Sequence, residues 1–152
     1  MSTLQIHVDR VASFRNEAPA EDAELALEDG SAFLLDRELP HFGVWVDLIA
    51  NGAKHGWHLY AACEPSTRRL KVLLPSSVQT VESLQPAEGG GLLAGLRASN
   101  APYVLRDRGG RYQEMKEALE RALATGEPVV VTAEPYHGEI LDVRQLPRAV
   151  TR

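Results

Sequence analysis

The sequence predicts a β-rich α+β protein, and three observations lead to that prediction. Short segments that are apolar or alternate between apolar and polar residues recur along the whole chain. One stretch, residues 111–125, instead has apolar residues at helical spacing. Turn-forming residues separate most of these segments. We therefore expect two small meander-like or barrel-like sheets and one amphipathic helix.

Five strands are predicted in the N-terminal half. In residues 4–8 apolar and polar side chains alternate, which is typical of a half-buried strand. The Asn51-Gly52 pair favours a two-residue hairpin turn, because both central positions of such a turn need positive φ. We therefore expect a three-stranded meander over residues 42–74. The five predicted strands are residues 4–8, 31–36, 42–50, 56–63 and 68–74.

The register of that hairpin places Trp45, Asp47, His58 and Tyr60 on one face of the sheet. Trp45 and His58 are then direct cross-strand neighbours. Aromatic side chains beside a carboxylate and an imidazole suit a small ligand, and Asp47 with His58 suits acid–base chemistry if the two groups approach. The alternative is a face covered by the rest of the chain, with Trp45 in the core.

The C-terminal half has the order strand, strand, strand, helix, strand, strand. Its helix is expected to end at Gly126, because glycine is common just after the last helical residue. This order resembles the oligonucleotide/oligosaccharide-binding (OB) barrel, whose helix lies between its third and fourth strands. The resemblance is one of element order and covers residues 78–143. The strands are residues 78–84, 92–97, 101–106, 128–133 and 139–143, and the helix is residues 111–125.

The OB resemblance implies a face that binds single-stranded nucleic acid through stacked aromatic side chains on a basic groove. Tyr103 is the one aromatic residue in the two candidate platform strands, 92–97 and 101–106. The alternative to a basic patch here is a solvated junction between strand and helix. The nearby basic residues are Arg97, Arg106, Arg108 and Arg111.

Length and charge leave the domain organisation open. A chain of 152 residues is one ordinary domain or two very small ones. We find no similarity at a fixed period between the halves, so a single domain and a division into 1–75 and 76–152 are both retained. The net charge of −5 argues against a general binder of nucleic acids or anionic membranes. Most of the acidic excess lies in residues 1–75, so this argument is weaker for residues 76–152.

The sequence contains none of the common catalytic or nucleotide-binding motifs. The single cysteine, Cys63, cannot form an intramolecular disulfide, and we interpret it as a buried thiol. His55 and His58 would lie on opposite faces of a strand, so we expect no metal site and no cofactor. The sequence shows no secretory signal and no transmembrane segment, which favours the cytoplasm.

These observations predict a non-catalytic binding or adaptor protein of the bacterial cytoplasm that acts through protein–protein contacts. Its partner is expected to be another protein or a second copy of the chain. One alternative is an OB-like protein that binds single-stranded nucleic acid through the arginines near residues 97–111. The other is a small enzyme that uses Asp47 and His58.

Overall fold

The computed structural model describes residues 3–17, 22–97, 99, 101–107, 110–135 and 137–146. Contacts divide the chain into two compact units, Met1–Ser76 and Ser77–Arg152, called unit 1 and unit 2 below. The predicted β-rich α+β class is confirmed, with three antiparallel sheets. Within the described residues no sheet closes into a barrel, and there are two helices where the sequence predicts one.

In the described part of unit 1 the chain forms five strands and one helix. Its sheet has the order β3-β2-β1-β4-β5. The first part of β1 pairs with β4 and the last part with β2, and the β1–β2 register shifts between Val11 and Ser13. The helix buries Trp45, Ile49 and Gly52. The elements are β1 (Gln5–Arg15), β2 (Ala23–Leu27), β3 (Ala32–Leu35), α1 (Phe42–His55), β4 (His58–Cys63) and β5 (Leu70–Pro75).

Unit 2 contains the predicted helix, which is confirmed as α2, and six strands. Two sheets have the orders β11-β10-β6 and β7-β8-β9. The helix buries Met115, Leu119 and Ala122 and ends at Gly126, whose φ of 76° lies in the left-handed region. The elements are β6 (Ser77–Gln79), β7 (Val81–Pro86), β8 (Leu92–Leu96), β9 (Tyr103–Leu105), α2 (Tyr112–Thr125), β10 (Val129–Ala133) and β11 (Ile140–Gln145).

The two units repeat one arrangement, in which β6 and β7 together correspond to β1. Residue 42 begins α1 and residue 112 begins α2, an offset of 70. The buried helix positions 45, 49 and 52 correspond to 115, 119 and 122 at the same offset. The register shift between Val81 and Ser83 corresponds to the shift in β1. The structure therefore contains a repeat that the search for sequence periodicity does not detect.

The third and fifth strands also meet in the same way in both units. An isolated parallel bridge joins Leu34 to Arg69 in unit 1, and another joins Val104 to Glu139 in unit 2. Each sheet system therefore curves until its two edge strands touch at one point.

The strand predicted for residues 42–50 is wrong, because this segment forms most of helix α1. Its β-branched and aromatic residues favour a strand, but tertiary packing overrides that local preference. Asn51 and Gly52 lie inside the helix rather than in a hairpin turn, so the predicted meander over residues 42–74 is also wrong. A Cβ atom on Gly52 would lie 3.4 Å from the nearest side-chain atoms of Leu59, so this glycine faces β4 closely.

Candidate functional site

The four residues predicted to share one sheet face lie on two different elements. Trp45 faces the core from α1, where its ring meets the His41 ring edge-to-face at a centroid distance of 4.4 Å. Asp47 is exposed on α1. His58 and Tyr60 are buried on β4. The predicted common face is therefore wrong, because its register depended on a hairpin where the chain forms a helix.

The surroundings of His58 favour its neutral imidazole form. The residue is 6% exposed, and this burial lowers the pKa of His58. Arg10, its pairing partner on β1, lowers the pKa further, while Asp9 and Glu28 act in the opposite direction. No hydrogen bond or ion pair among the described residues joins His58 to Asp47. The geometry thus gives no support to acid–base catalysis by this pair.

The predicted arginine patch is partly neutralised by carboxylates. Arg97 follows β8 and pairs with Glu82, with 3.6 Å between Nε and the carboxylate oxygen. Arg106 follows β9 and is exposed. Arg111 precedes α2 and is half-buried among acidic groups. Arg108 lies outside the described residues.

A buried carboxylate joins the start of α2 to β11. Asp142, on β11, is 0% exposed, and each of its oxygens accepts a hydrogen bond from a different arginine. Arg111 donates through Nη1 to Oδ1, and Arg144 donates through Nε to Oδ2 at 2.8 Å. Arg111 also pairs with Glu114, at 3.3 Å. These groups compensate the burial of Asp142, because a buried carboxylate needs charged or hydrogen-bonding partners.

The charged network also affects Arg111. Partial burial on its own lowers the pKa of Arg111, but hydrogen bonds and charges from Asp142 and Glu114 outweigh burial and raise that pKa. Arg111 therefore remains a cation that holds the first turn of α2 against the last strand of unit 2.

An open groove lies beside this network, between α2 and β11. Two cavities of about 460 and 540 Å³ form it, and both are lined by Ala118, Arg121 and Gln145. Ala122 contributes to one cavity and Arg144 to the other. Small side chains and charges of both signs therefore line this groove. We call it the α2–β11 groove, and its other lining residues are Arg111, Glu114, Glu117, Thr125, Glu127, Pro128, Val129, Val143 and Leu146.

The lining of the groove includes a position at which the two units differ. Leu48 of α1 is the counterpart of Ala118 at the offset of 70, and it packs against the core of unit 1. Ala118 packs against the core of unit 2 with a shorter side chain, and it lines both cavities of the groove. Sequence reasoning missed the groove because an alanine within an amphipathic helix is also typical of a packed face. The replacement of Leu48 by Ala118 at equivalent positions could have indicated the groove. These positions can be matched only when the repeat at the offset of 70 is known.

The remaining reactive groups do not form a second site. Cys63 is buried, and burial raises the pKa of its thiol although Arg68 opposes the shift. This setting agrees with the predicted buried thiol. Among the described residues, no group of histidine, cysteine, aspartate and glutamate side chains is arranged to hold a metal ion.

Comparison with known proteins identifies no relative: no family model, curated protein or solved structure matches this chain. Neither α1 nor α2, the helices of the described residues, has the length and apolar character needed to cross a membrane.

Proposed function

We propose that this chain is a non-catalytic binding protein of the bacterial cytoplasm that acts through contacts with other proteins. The observation that supports this most is the open α2–β11 groove of unit 2, which is lined by Ala118 where the counterpart in unit 1 is the larger Leu48. The sequence contains no catalytic motif, and Asp47 and His58 share no hydrogen bond or ion pair among the described residues.

The groove suits an extended protein segment. The small, half-buried Ala118 leaves room for a main chain to approach α2. In the order β11-β10-β6, β11 is an edge strand, and beyond the bridge between Glu139 and Val104 such an edge can accept an added strand through main-chain hydrogen bonds. Arg121 and Glu117 on the rim offer both charges to the side chains of such a segment. The proposed ligand is therefore an extended peptide with acidic and basic side chains.

The experiment is selection from a displayed peptide library, with Ala118→Leu as the matched variant. Because leucine is the residue that unit 1 carries at this position, Ala118→Leu fills the groove and is expected to preserve the fold. We expect enriched peptides to bind the wild-type chain at least tenfold more tightly than Ala118→Leu, measured by fluorescence anisotropy. Glu120→Gln, outside the groove lining, serves as the control and is expected to bind like wild type. A lack of enrichment, or equal binding to Ala118→Leu, contradicts the proposal.

We also propose that unit 2 has an OB-like arrangement. Four features support it: the helix between the third and fourth strands, the bent first strand formed by β6 and β7, its pairing with both β8 and β10, and the parallel bridge between Val104 and Glu139. Unit 1 has the same features. This topology favours nucleic-acid binding as the second candidate function.

A binding measurement tests the second candidate. Mixed single-stranded oligonucleotides are titrated at about 50 mM salt, where electrostatic affinity is high. If Arg106 contacts phosphate, Arg106→Ala weakens binding and reduces its salt dependence. An absence of binding at low salt removes this candidate and leaves the peptide-binding proposal standing.

A further inference from the structure

The outward side of α1 is unusually poor in charge for an exposed helix. We give the name α1 outer face to the exposed α1 residues Val44, Asp47, Asn51 and Lys54 together with Trp57, which follows the C-cap Gly56. Val44 is 67% exposed and Trp57 is 41% exposed. At the offset of 70, unit 2 has Glu114, Glu117, Arg121, Ala124 and Glu127. The same position in the fold therefore carries four charges in unit 2 and two in unit 1.

A second unusual feature of the outward side of α1 is Gly43, in the first turn of the helix. A Cβ atom at Gly43 would meet nothing within 4 Å, and its φ lies outside the left-handed region. The fold of unit 1 thus gives no reason for a residue that weakens a helix. Gly52, in contrast, lies against Leu59. An uncrowded glycine beside Val44 leaves room for a bulky group that approaches α1 from outside.

We infer that the α1 outer face is a homodimer interface, in which α1 packs antiparallel against α1 of a second copy of this chain. The two-fold axis passes between Ala50 and Asn51. By helix geometry, this register puts Val44 about 10 Å from the axis, opposite the C-terminal end of α1 in the second copy, where Gly56 ends the helix and Trp57 follows. It puts Asp47 about 5 Å from the axis, opposite Lys54 of the partner subunit.

The α1 outer face is complementary to itself in this register. A two-fold interface uses the same patch on both copies, so each residue type must suit the residue that the symmetry places opposite. The apolar Val44 meets an indole, and the carboxylate of Asp47 meets an ammonium group. Within one chain Asp47 and Lys54 are seven residues apart, about 10 Å along the helix, and no ion pair among the described residues involves either of them.

Two further features of the α1 surface favour association of the two helices. The Trp57 ring is stacked on the His55 ring, with centroids 5.3 Å apart and planes at 23°, so part of its side-chain entropy is already lost. At the axis, Ala50 is small enough for the two helices to approach closely. The counterpart of Ala50 in unit 2 is the charged and exposed Glu120.

The dimer is expected to be weak. A helix of 14 residues is about 21 Å long, so two such helices bury an area at the low end of specific interfaces. We expect a dissociation constant in the range of about 10–100 μM, as for weak complexes of this size. The interface lies in unit 1 and goes beyond the proposed peptide binding in unit 2.

Sedimentation equilibrium over about 5–500 μM chain tests the inference, a range chosen to bracket the expected dissociation constant. Val44→Glu and Trp57→Glu introduce the residues of unit 2, and each is expected to weaken dimerisation at least about tenfold through a desolvated charge. Both sites are exposed, so circular dichroism and melting temperature are expected to remain close to wild type. A wild-type chain that stays monomeric throughout, or variants that dimerise normally, would overturn the inference.

A charge exchange tests the antiparallel register. Asp47→Lys and Lys54→Asp each place like charges opposite one another and weaken the dimer. The double variant restores unlike pairs and is expected to recover most of the wild-type affinity. Glu120→Lys makes the same change of charge on α2 and is expected to leave dimerisation unchanged. If the double variant does not recover, the register is wrong.

Ala118→Leu separates the two proposals. It closes the α2–β11 groove without altering α1, so it removes peptide binding and leaves dimerisation intact. Loss of dimerisation in Ala118→Leu would contradict an interface confined to unit 1.

Discussion

Units 1 and 2 have the same architecture, but they differ in the side chains that lie between the helix and the final strand. In unit 1 the apolar Leu48 of α1 packs against the core. In unit 2 the smaller Ala118 leaves a groove, and Arg111, Asp142 and Arg144 form a charged network beside it. The counterparts of those three residues in unit 1 are His41, Val72 and Leu74. The comparison shows that helix and strand can keep their places while the contacts beside them change from apolar to ionic.

The features that both units share are those that determine the path of the backbone. Both helices end at a glycine with positive φ, Gly56 and Gly126. Both final hairpins contain a Glu-Pro pair, and in each the glutamate N–H donates to a carbonyl five residues later, at 3.1 Å for Glu64 and 2.8 Å for Glu134. The outer helix positions vary freely, because they do not determine the fold. Candidate binding surfaces are therefore found among the varying positions.

The largest expected effect comes from placing a charge in either core. Leu119 is 0% exposed, and Ile49 is its counterpart in unit 1. An unpaired buried carboxylate costs several kcal/mol, which is comparable with the whole stability of a small domain. Leu119→Asp is therefore expected to unfold unit 2, and Ile49→Asp to unfold unit 1.

The two tryptophans make this prediction specific, because both lie in unit 1. If the units fold independently, Leu119→Asp loses about half of the far-ultraviolet circular dichroism signal and keeps native tryptophan emission. Ile49→Asp shifts the emission to that of exposed indole. Exposure of the tryptophans in Leu119→Asp would mean that the units fold as one.

Breaking the charged network gives the next largest effect. Arg111→Ala leaves the buried Asp142 with one of its two guanidinium partners. Removing a partner from a buried ion pair costs about 3–5 kcal/mol, and we expect about 2 kcal/mol here because Arg111 is partly exposed and Arg144 remains. Urea unfolding measures this loss.

Grafting the residues of unit 1 is the corresponding control. The triple variant Arg111→His, Asp142→Val and Arg144→Leu removes the buried carboxylate together with both guanidinium groups, and replacing a buried ion network with less polar side chains is often neutral or stabilising. We expect it to be more stable than Arg111→Ala. If the triple variant is less stable, the ionic network has become a requirement of the unit 2 fold.

A smaller and favourable effect is expected at Gly52, whose counterpart in unit 2 is Ala122. Glycine within a helix costs about 1 kcal/mol relative to alanine. The added Cβ would lie 3.4 Å from Leu59, an ordinary contact. Gly52→Ala should therefore stabilise unit 1 by about 0.5–1 kcal/mol in urea unfolding followed by tryptophan fluorescence. The reverse change, Ala122→Gly, should destabilise unit 2 by a similar amount. A loss of stability in Gly52→Ala would show that α1 and β4 cannot separate slightly.

The sequence predicted one helix well and missed the other for a physical reason. In α2, charged residues such as Glu117 and Arg121 mark the solvent side, so the helical period is visible. In α1, apolar Val44 and Val46 stand where a helix usually carries polar residues, and the pattern indicates a strand instead. The surface that we assign to dimerisation carries few charges, and this is why the sequence pattern did not indicate the helix.

The candidate site could not be predicted from the sequence, because no local pattern indicates it. The groove depends on contacts between residues of α2 and β11 that are distant in the chain. Asp142 lies in a short strand, and nothing local to it predicts that Arg111, 31 positions earlier, will reach its carboxylate. The repeat was missed because the units agree in geometry and burial while few identical residues, such as the Glu-Pro pairs, recur at the offset of 70.

The smallest effect concerns pH, and it belongs to unit 1 because the counterpart of His58 is Pro128. Burial lowers the pKa of His58 in the folded state, so the unfolded chain binds a proton more readily below its ordinary pKa of about 6.5. The folded state is therefore expected to lose stability as pH falls through about 6.5 toward the lower folded pKa. One proton can contribute a slope of at most about 1.4 kcal/mol per pH unit.

The variant His58→Leu isolates this contribution, because the other four histidines are common to both proteins. Urea unfolding is followed by tryptophan fluorescence between pH 7.5 and 5.5, a range of about one unit on either side of the ordinary histidine pKa. We expect the stability of wild type relative to His58→Leu to decline toward the acidic end, whichever protein is more stable at pH 7.5. Parallel curves would mean that the imidazole is protonated equally in both states. Arg10 and burial would then fail to outweigh Asp9 and Glu28, and the neutral state assigned to His58 would be wrong.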